Sequence, residues 1–236
     1  MAFNQALSTG HTEETSGVGS RKLAMWIFLI SEVIFFSGLI GGSILIRVQT
    51  PPESWPFPGE VLDVPLTSLN TFILIVSSVT VVQALAALQD GKQMLFRIFL
   101  IATFILGSIF LGIQAYEYVK LTGHGLTFNS YIIHAGGHAA GAAAEEATGE
   151  EHSAATETAE AEELVVNSPF GTTFYIQTGF HGAHVTIGVL WLLIVIIKAF
   201  AGSYSAQNYV GVEMFGLYWH FVDLVWILLF TIVYLV

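Results

Sequence analysis

The chain has 236 residues, 54% of them hydrophobic and only 11% charged, with a mean hydropathy of +0.69. Soluble domains carry about 25% charged residues, so this composition excludes a surface that meets water on every side and points to one membrane domain. Seven Lys and Arg against 18 Asp and Glu leave a net charge of −11, which argues against a nucleic-acid partner. The absence of cysteine excludes disulfides, thiolate metal sites, iron–sulfur clusters and thioether-linked haem.

Residues 1–22 read as a polar cytoplasmic N-terminus. Five stretches then meet the requirement of about 20 mostly apolar residues per spanning helix: 23–46, 66–89, 95–118, 170–200 and 209–236. The first exceeds a signal-peptide core and has no cleavage-type exit, so it reads as a retained helix. Arg97, near the start of the third, can snorkel to an interface. The fourth is longer than one span requires, which predicts tilt or an interfacial first turn. Segment 48–65 holds five prolines and Trp55 and reads as an ordered crossing loop. Segment 90–94 is short, making the second and third spans antiparallel neighbours. Arg21, Lys22, Lys92, Arg97 and Lys198 fall on one side of this arrangement, Arg47 and Lys120 on the other. The excess of basic residues places the N-terminus in the cytoplasm and the C-terminus outside. The expected fold is an all-α membrane protein, a five-helix bundle divided into 1–22, helices 1–3 in 23–123, an external loop in 124–168 and helices 4–5 in 169–236.

The insert 135–163 contains 11 Ala, eight Glu and four Gly but no aromatic or branched aliphatic residue. It cannot nucleate a core. A flexible acidic loop is the main reading, with an Ala/Glu helix over 142–163 as the alternative. His134 and His138, flanked by His124 and His152, could bind stray metal, but their composition suits a solvated loop better. No internal repeat supports an inverted-repeat transporter.

An ionisable side chain at mid-membrane costs about 2.5–3.5 kcal/mol, so each one requires a partner or a purpose. Glu32 lies near the middle of the first span. Taking up a proton relieves the desolvation cost, so it reads either as a proton-linked carboxyl group or as a packing group hydrogen-bonded to a neighbouring helix. The other spans carry polar residues at helical spacing: Asn70, Ser77 and Thr80; Gln114 and Glu117; Thr173, Gln177, His181, His184 and Gly188; Glu213, Gly216, His220 and Asp223. Ser31, Gly38 and Gly41–Gly42 would give the first span a small-residue seam. Such stripes are commonly interhelical hydrogen-bond seams. The sharper alternative is a metal centre drawn from Glu117, His181, His184, Glu213, His220 and Asp223, since a His-x-x-His pair can direct two imidazoles at one ion. Its carboxylate spacing departs from the Glu-x-x-His pattern of di-iron bundles, and a structural polar network is the preferred reading.

Five motifs occur in order along the chain: Met25-Trp-Ile-Phe-Leu-Ile-Ser-Glu-Val33, Leu69-Asn-Thr-Phe72, Gln114-Ala-Tyr-Glu-Tyr118, Gly179-Phe-His-Gly-Ala-His-Val185 and Tyr218-Trp-His-Phe-Val-Asp-Leu-Val-Trp226. Together they resemble subunit III of the haem–copper terminal oxidases, of the cytochrome c oxidase type. The resemblance implies an accessory subunit without a redox centre, packed with subunits I and II, which carry the haem and copper and reduce oxygen to water. It maps the family's membrane-embedded carboxyl group onto Glu32 and its recurrent polar positions onto Glu117, His181, His184, Glu213, His220 and Asp223. It further implies support of proton uptake, protection from turnover-linked inactivation, and bound phospholipids. Mitochondrial-type members have seven spans and this chain starts at the third, which favours a bacterial plasma membrane over a mitochondrial inner membrane. The acidic insert has no counterpart in the family pattern, and docking of an electron donor or another respiratory complex is one role for it. A quinol-oxidase subunit III is the nearest alternative; a stand-alone transporter or a di-metal membrane oxygenase is the alternative of another class.

Overall fold

The computed structural model of the chain describes residues 19–56, 62–123, 126, 130–134 and 163–235. Its five long helices are α1 (Ser20–Gln49), α2 (Val64–Gln89), α3 (Gln93–Gly123), α4 (Phe170–Phe200) and α5 (Val210–Phe230), the last running on into a π turn, Thr231–Leu235. All five are long and apolar enough to cross a membrane. The first three exceed the expected spans by two to five residues at five of their six ends, because end residues continue the hydrogen-bond ladder past the apolar stretch. Thr50, for example, closes α1 with its hydroxyl donating to the Ile46 carbonyl at 2.8 Å.

Local chemistry sets the ends. Asp63 caps α2, accepting from the Leu66 N–H at 3.3 Å, with Pro65 in the first turn, where its missing N–H costs nothing. The α2–α3 turn passes through Gly91 at φ 76°, a conformation that a Cβ would strain. The described part of the proline-rich crossing segment is ordered: Pro52–Ser54 form a 3₁₀ turn, and Trp55 meets Phe170 edge-to-face at 5.3 Å.

The segment read as a continuous external loop contains one piece of regular structure. Strands β1 (Ser130–His134) and β2 (Glu163–Asn167) pair antiparallel, Ser130 opposite Asn167 and His134 opposite Glu163. Tyr131-Ile-Ile133 and Leu164-Val-Val166 supply the β-branched and aromatic residues that favour pairing. The ladder therefore joins the two ends of the insert. The insert proper, for which a flexible loop or an Ala/Glu helix is expected, lies outside the described residues, as do His124, His138 and His152.

Helices α2, α3, α4 and α5 form a four-helix bundle in which α5 packs on α2 and α4, and α3 on α2 and α4; α1 lies against α4 and α5. Trp219 of α5 sits at the centre, 1% exposed, its indole N–H donating to Ser77 Oγ on α2 at 3.0 Å. Its ring fills the space above two glycines. A Cβ on Gly107 of α3 would come within 2.8 Å of it, and one on Gly188 of α4 within 2.9 Å. The small-residue seam of α4 thus receives an aromatic side chain. The expected seam on α1 behaves differently: Gly38, Gly41 and Gly42 have nothing within 4 Å of where a Cβ would stand, so they face outward from this chain.

Candidate functional site

Glu32 and His184 meet across α1 and α4, with Glu32 Oε2 3.1 Å from His184 Nε2 and their side chains 19% and 16% exposed. The other imidazole nitrogen, Nδ1, lies 2.7 Å from the Phe180 carbonyl. A carbonyl only accepts, so Nδ1 carries the hydrogen. The Glu32–His184 contact is then a hydrogen bond between Oε2 and Nε2 that ties α1 to α4. Phe36 walls the ring edge-on at 5.1 Å, and the Tyr218 hydroxyl donates to the His184 carbonyl at 2.9 Å, tying the contact to α5.

Glu117 occupies a second, separate site at the end of the bundle away from the start of α1. It is 1% exposed and accepts from three side chains: Thr67 Oγ1 at 2.9 Å, the Tyr234 hydroxyl at 3.1 Å and Gln114 Nε2 at 3.4 Å. The three donors come from α2, the terminal π turn and α3, so one carboxyl group fastens three elements. Nearby, Lys120 Nζ lies 2.8 Å from Asp63 Oδ2. The ammonium group, with the Leu66 N–H, holds the Asp63 carboxyl below the usual carboxylate range.

The remaining predicted residues disperse. Glu213 pairs with Lys22 at 2.8 Å, fastening the start of α5 to the start of α1. His220 Nδ1 lies 2.6 Å from Ser78 Oγ on α2. Asp223 is 8% exposed on the following turn of α5. Asn70 donates to the Phe110 carbonyl at 3.3 Å, and Gln177 and His181 point into the bundle. His181 stacks on Trp226 at 4.8 Å and meets Phe110 edge-on at 6.0 Å. The six residues considered for a metal centre thus enter different contacts, and among the described residues no three His, Asp or Glu side chains converge to hold an ion.

Sequence reasoning missed the partners more than the sites. Thr67, Thr71 and Ser78 continue the α2 stripe of Asn70 and Ser77, and Tyr234 follows Trp226 on the last turns. Only their helical spacing with Asn70 could have announced them. A cleft of about 240 Å³ opens beside α1, lined by Ser43, Arg47, Trp55, Thr173, Gln177 and Ile232.

The chain matches the family of cytochrome c oxidase subunit III over residues 3–133 and 151–236, leaving residues 134–150 of the acidic insert outside the match. The cytochrome c oxidase subunit 3 of Thermostichus vulcanus is 33% identical over 231 residues, covering 98% of this chain and 93% of the relative. The probable quinol oxidase subunit 3 of Staphylococcus saprophyticus is 27% identical over 215 residues, 91% of this chain and 88% of that one. The cytochrome c oxidase subunit 3 of Lumbricus terrestris is 32% identical over 95% of this chain, which spans 73% of the relative.

Proposed function

Because the chain belongs to the cytochrome c oxidase subunit III family, the accessory subunit of a haem–copper oxidase, we propose that it holds no redox centre and modulates catalysis carried out elsewhere. Haem and copper reside in subunits I and II, which reduce oxygen. This chain sustains their proton uptake and protects them during turnover. The observation that supports the reading is the Glu32–His184 contact, which brings a carboxyl group and an imidazole together between α1 and the bundle. Both side chains are able to carry a proton, so the contact suits a modulating role.

Subunit partners and lipids are the natural cover for α1. Leu23, Ile27, Ile30, Ile34, Leu45 and Val48 are all more than half exposed, and the outward Gly38, Gly41 and Gly42 permit close approach of another helix. Residues 1–22 face the cytoplasm of a bacterial plasma membrane and segment 124–168 faces outside, where its acidic insert can receive an electron donor or a neighbouring complex. Cytochrome c is the donor of the proposed oxidase. The similarity to a quinol oxidase subunit 3 keeps quinol as the second reading.

The test is purification of the tagged chain from its native membranes. Haem absorbance and mass spectrometry should recover subunits I and II in fixed proportion, and the chain dissociated from them should carry no stoichiometric metal. Recovery of the chain alone would overturn the subunit assignment, and metal retained by the isolated chain would revive the oxygenase.

A further inference from the structure

His181 is 1% exposed at the centre of the bundle, yet neither ring nitrogen has a protein partner. Three further polar atoms in the same region share this condition: Asn70 Oδ1 on α2, Gln114 Oε1 on α3 and Gln177 Oε1 on α4. Asn70, Gln114 and Gln177 are 0%, 4% and 2% exposed. They are near neighbours by construction. Asn70 holds the carbonyl of Phe110, whose ring meets His181; Gln114 and Gln177 lie one turn beyond Phe110 and His181 on their own helices.

As placed, the group is short of donors. Three amide oxygens only accept, and a neutral imidazole adds one acceptor and one donor. One N–H therefore faces more acceptors than it can serve. Turning the amides over does not help Asn70 or Gln114, because their nitrogens already donate to the Phe110 carbonyl and to Glu117. Leaving buried polar atoms unmade is costly, and native interiors hold few of them. The missing species must donate twice and also accept. Water does both, and typically makes about three hydrogen bonds when buried. The cluster borders open space: Gln177 and Thr173 form part of the wall of the 240 Å³ cleft beside α1. Liquid water occupies about 30 Å³ per molecule, so the cleft has room for several.

We propose that the bundle core holds an internal water cluster on His181, Asn70, Gln114 and Gln177, filled from the cleft beside α1. The cluster lets four polar side chains stay buried at mid-membrane without pairing directly. It is independent of whether Glu32 serves proton uptake, and requires only the packing of α2 to α5.

The experiment compares high-resolution maps and thermal melting of the intact oxidase carrying wild-type subunit or His181→Phe. The wild-type map should show ordered water about 3 Å from an imidazole nitrogen and from at least one of the three amide oxygens. His181→Phe removes both ring nitrogens as water partners and keeps an aromatic ring, somewhat larger, in their place. It should erase that density and lower the midpoint for loss of this subunit by about 2–4 °C. A second variant, Gln177→Leu, should empty the positions nearest the cleft and leave Asn70 hydrated. A dry core overturns the proposal, and so does a His181→Phe subunit more stable than wild type, since an unpaired imidazole gains from replacement. A single peak about 2.4 Å from several oxygens would replace water by a cation. If His181→Phe does not assemble, the wild-type map alone decides.

Discussion

Helices α1 and α5 are both apolar enough to span a membrane, yet they are held in opposite ways. Half of the most apolar window of α5 is buried within the chain, against 17% of that of α1. The buried face of α5 carries Phe215, Trp219, Val222, Trp226 and Leu229, and its two indoles reach Ser77 and Thr71 on α2. Lipid tails are as apolar as leucine, so close ring packing and interhelical hydrogen bonds decide which helices associate. The bundle has both. Helix α1 adds the Lys22–Glu213 and Glu32–His184 contacts, Met25 and Leu29 at the edge of the main core, ring contacts from Phe28 and Phe35, and a small apolar patch around Phe36, Val225 and Leu229. The lesson is a division of labour: α2 to α5 hold one another by ring packing and interhelical hydrogen bonds, and α1 joins them through fewer contacts, among them Glu32–His184.

The largest effect that would break this contrast lies under Trp219. Trp219→Ala should cost about 3–5 kcal/mol, and Gly107→Ala, meeting the ring at 2.8 Å, about 1–3 kcal/mol. Subunit level in membranes and its thermal midpoint read both. A fully stable Trp219→Ala subunit would mean that the bundle does not depend on its central ring. Glu117 comes next. Glu117→Leu strands the donors of Thr67, Tyr234 and Gln114 and should cost about 1–3 kcal/mol, while Glu117→Gln recovers part of the loss. Equal stability of the Leu and Gln variants would remove the three-way clasp from the account.

Much of this was legible in the sequence and some was not, for physical reasons. Apolar length alone located all five spans, because the bilayer fixes that length. Period-3.6 stripes marked the inward faces of α2 to α5, since a helix must bury its polar groups together. The same spacing left open the metal alternative at His181 and His184 and what covers the α1 glycines. His181 and His184 are three residues apart, and a helix turns about 300° over three residues. That offset sends one ring into the bundle and the other toward α1. Whether a small-residue face is filled depends on which helix lies opposite, and a single helix does not encode that. The pairing of β1 with β2 was hidden by the long insert between two short apolar runs.

Smaller effects sharpen the comparison at the helix ends. Lys22→Ala removes an ion pair that water still screens, its side chains being 34% and 26% exposed, so the change in stability should be small. Its signature is local: faster hydrogen exchange at the start of α1 with none in α2 or α3. Uniform loosening of the whole chain would contradict the separation of α1 from the bundle. The Asp63–Lys120 pair sets a pH dependence at the other end. Because Lys120 depresses the Asp63 carboxyl below its ordinary value of about 3.9, its contribution is complete above that pH. It is lost as pH falls through the lower folded-state value. Local opening at the start of α2 and the end of α3, read as hydrogen exchange relative to the intrinsic rate at each pH, should be flat from about pH 5 to 8 and rise only in stronger acid. Lys120→Met should move that rise upward in pH, and an unmoved profile would exclude the pair as its source.

The most direct measurement is sustained turnover and proton uptake of the intact oxidase against pH, with wild-type subunit and with Glu32→Gln. Glutamine donates an N–H to His184 Nε2, so the α1–α4 contact persists while its titration disappears. Assembly and initial electron transfer should therefore be unchanged. Proton uptake and the duration of turnover should show a partial, pH-dependent defect, because this chain modulates chemistry that another subunit performs. A variant indistinguishable from wild type in both assays would make Glu32 a packing group, and a complete collapse of turnover would make it an obligatory proton carrier; either would contradict the account.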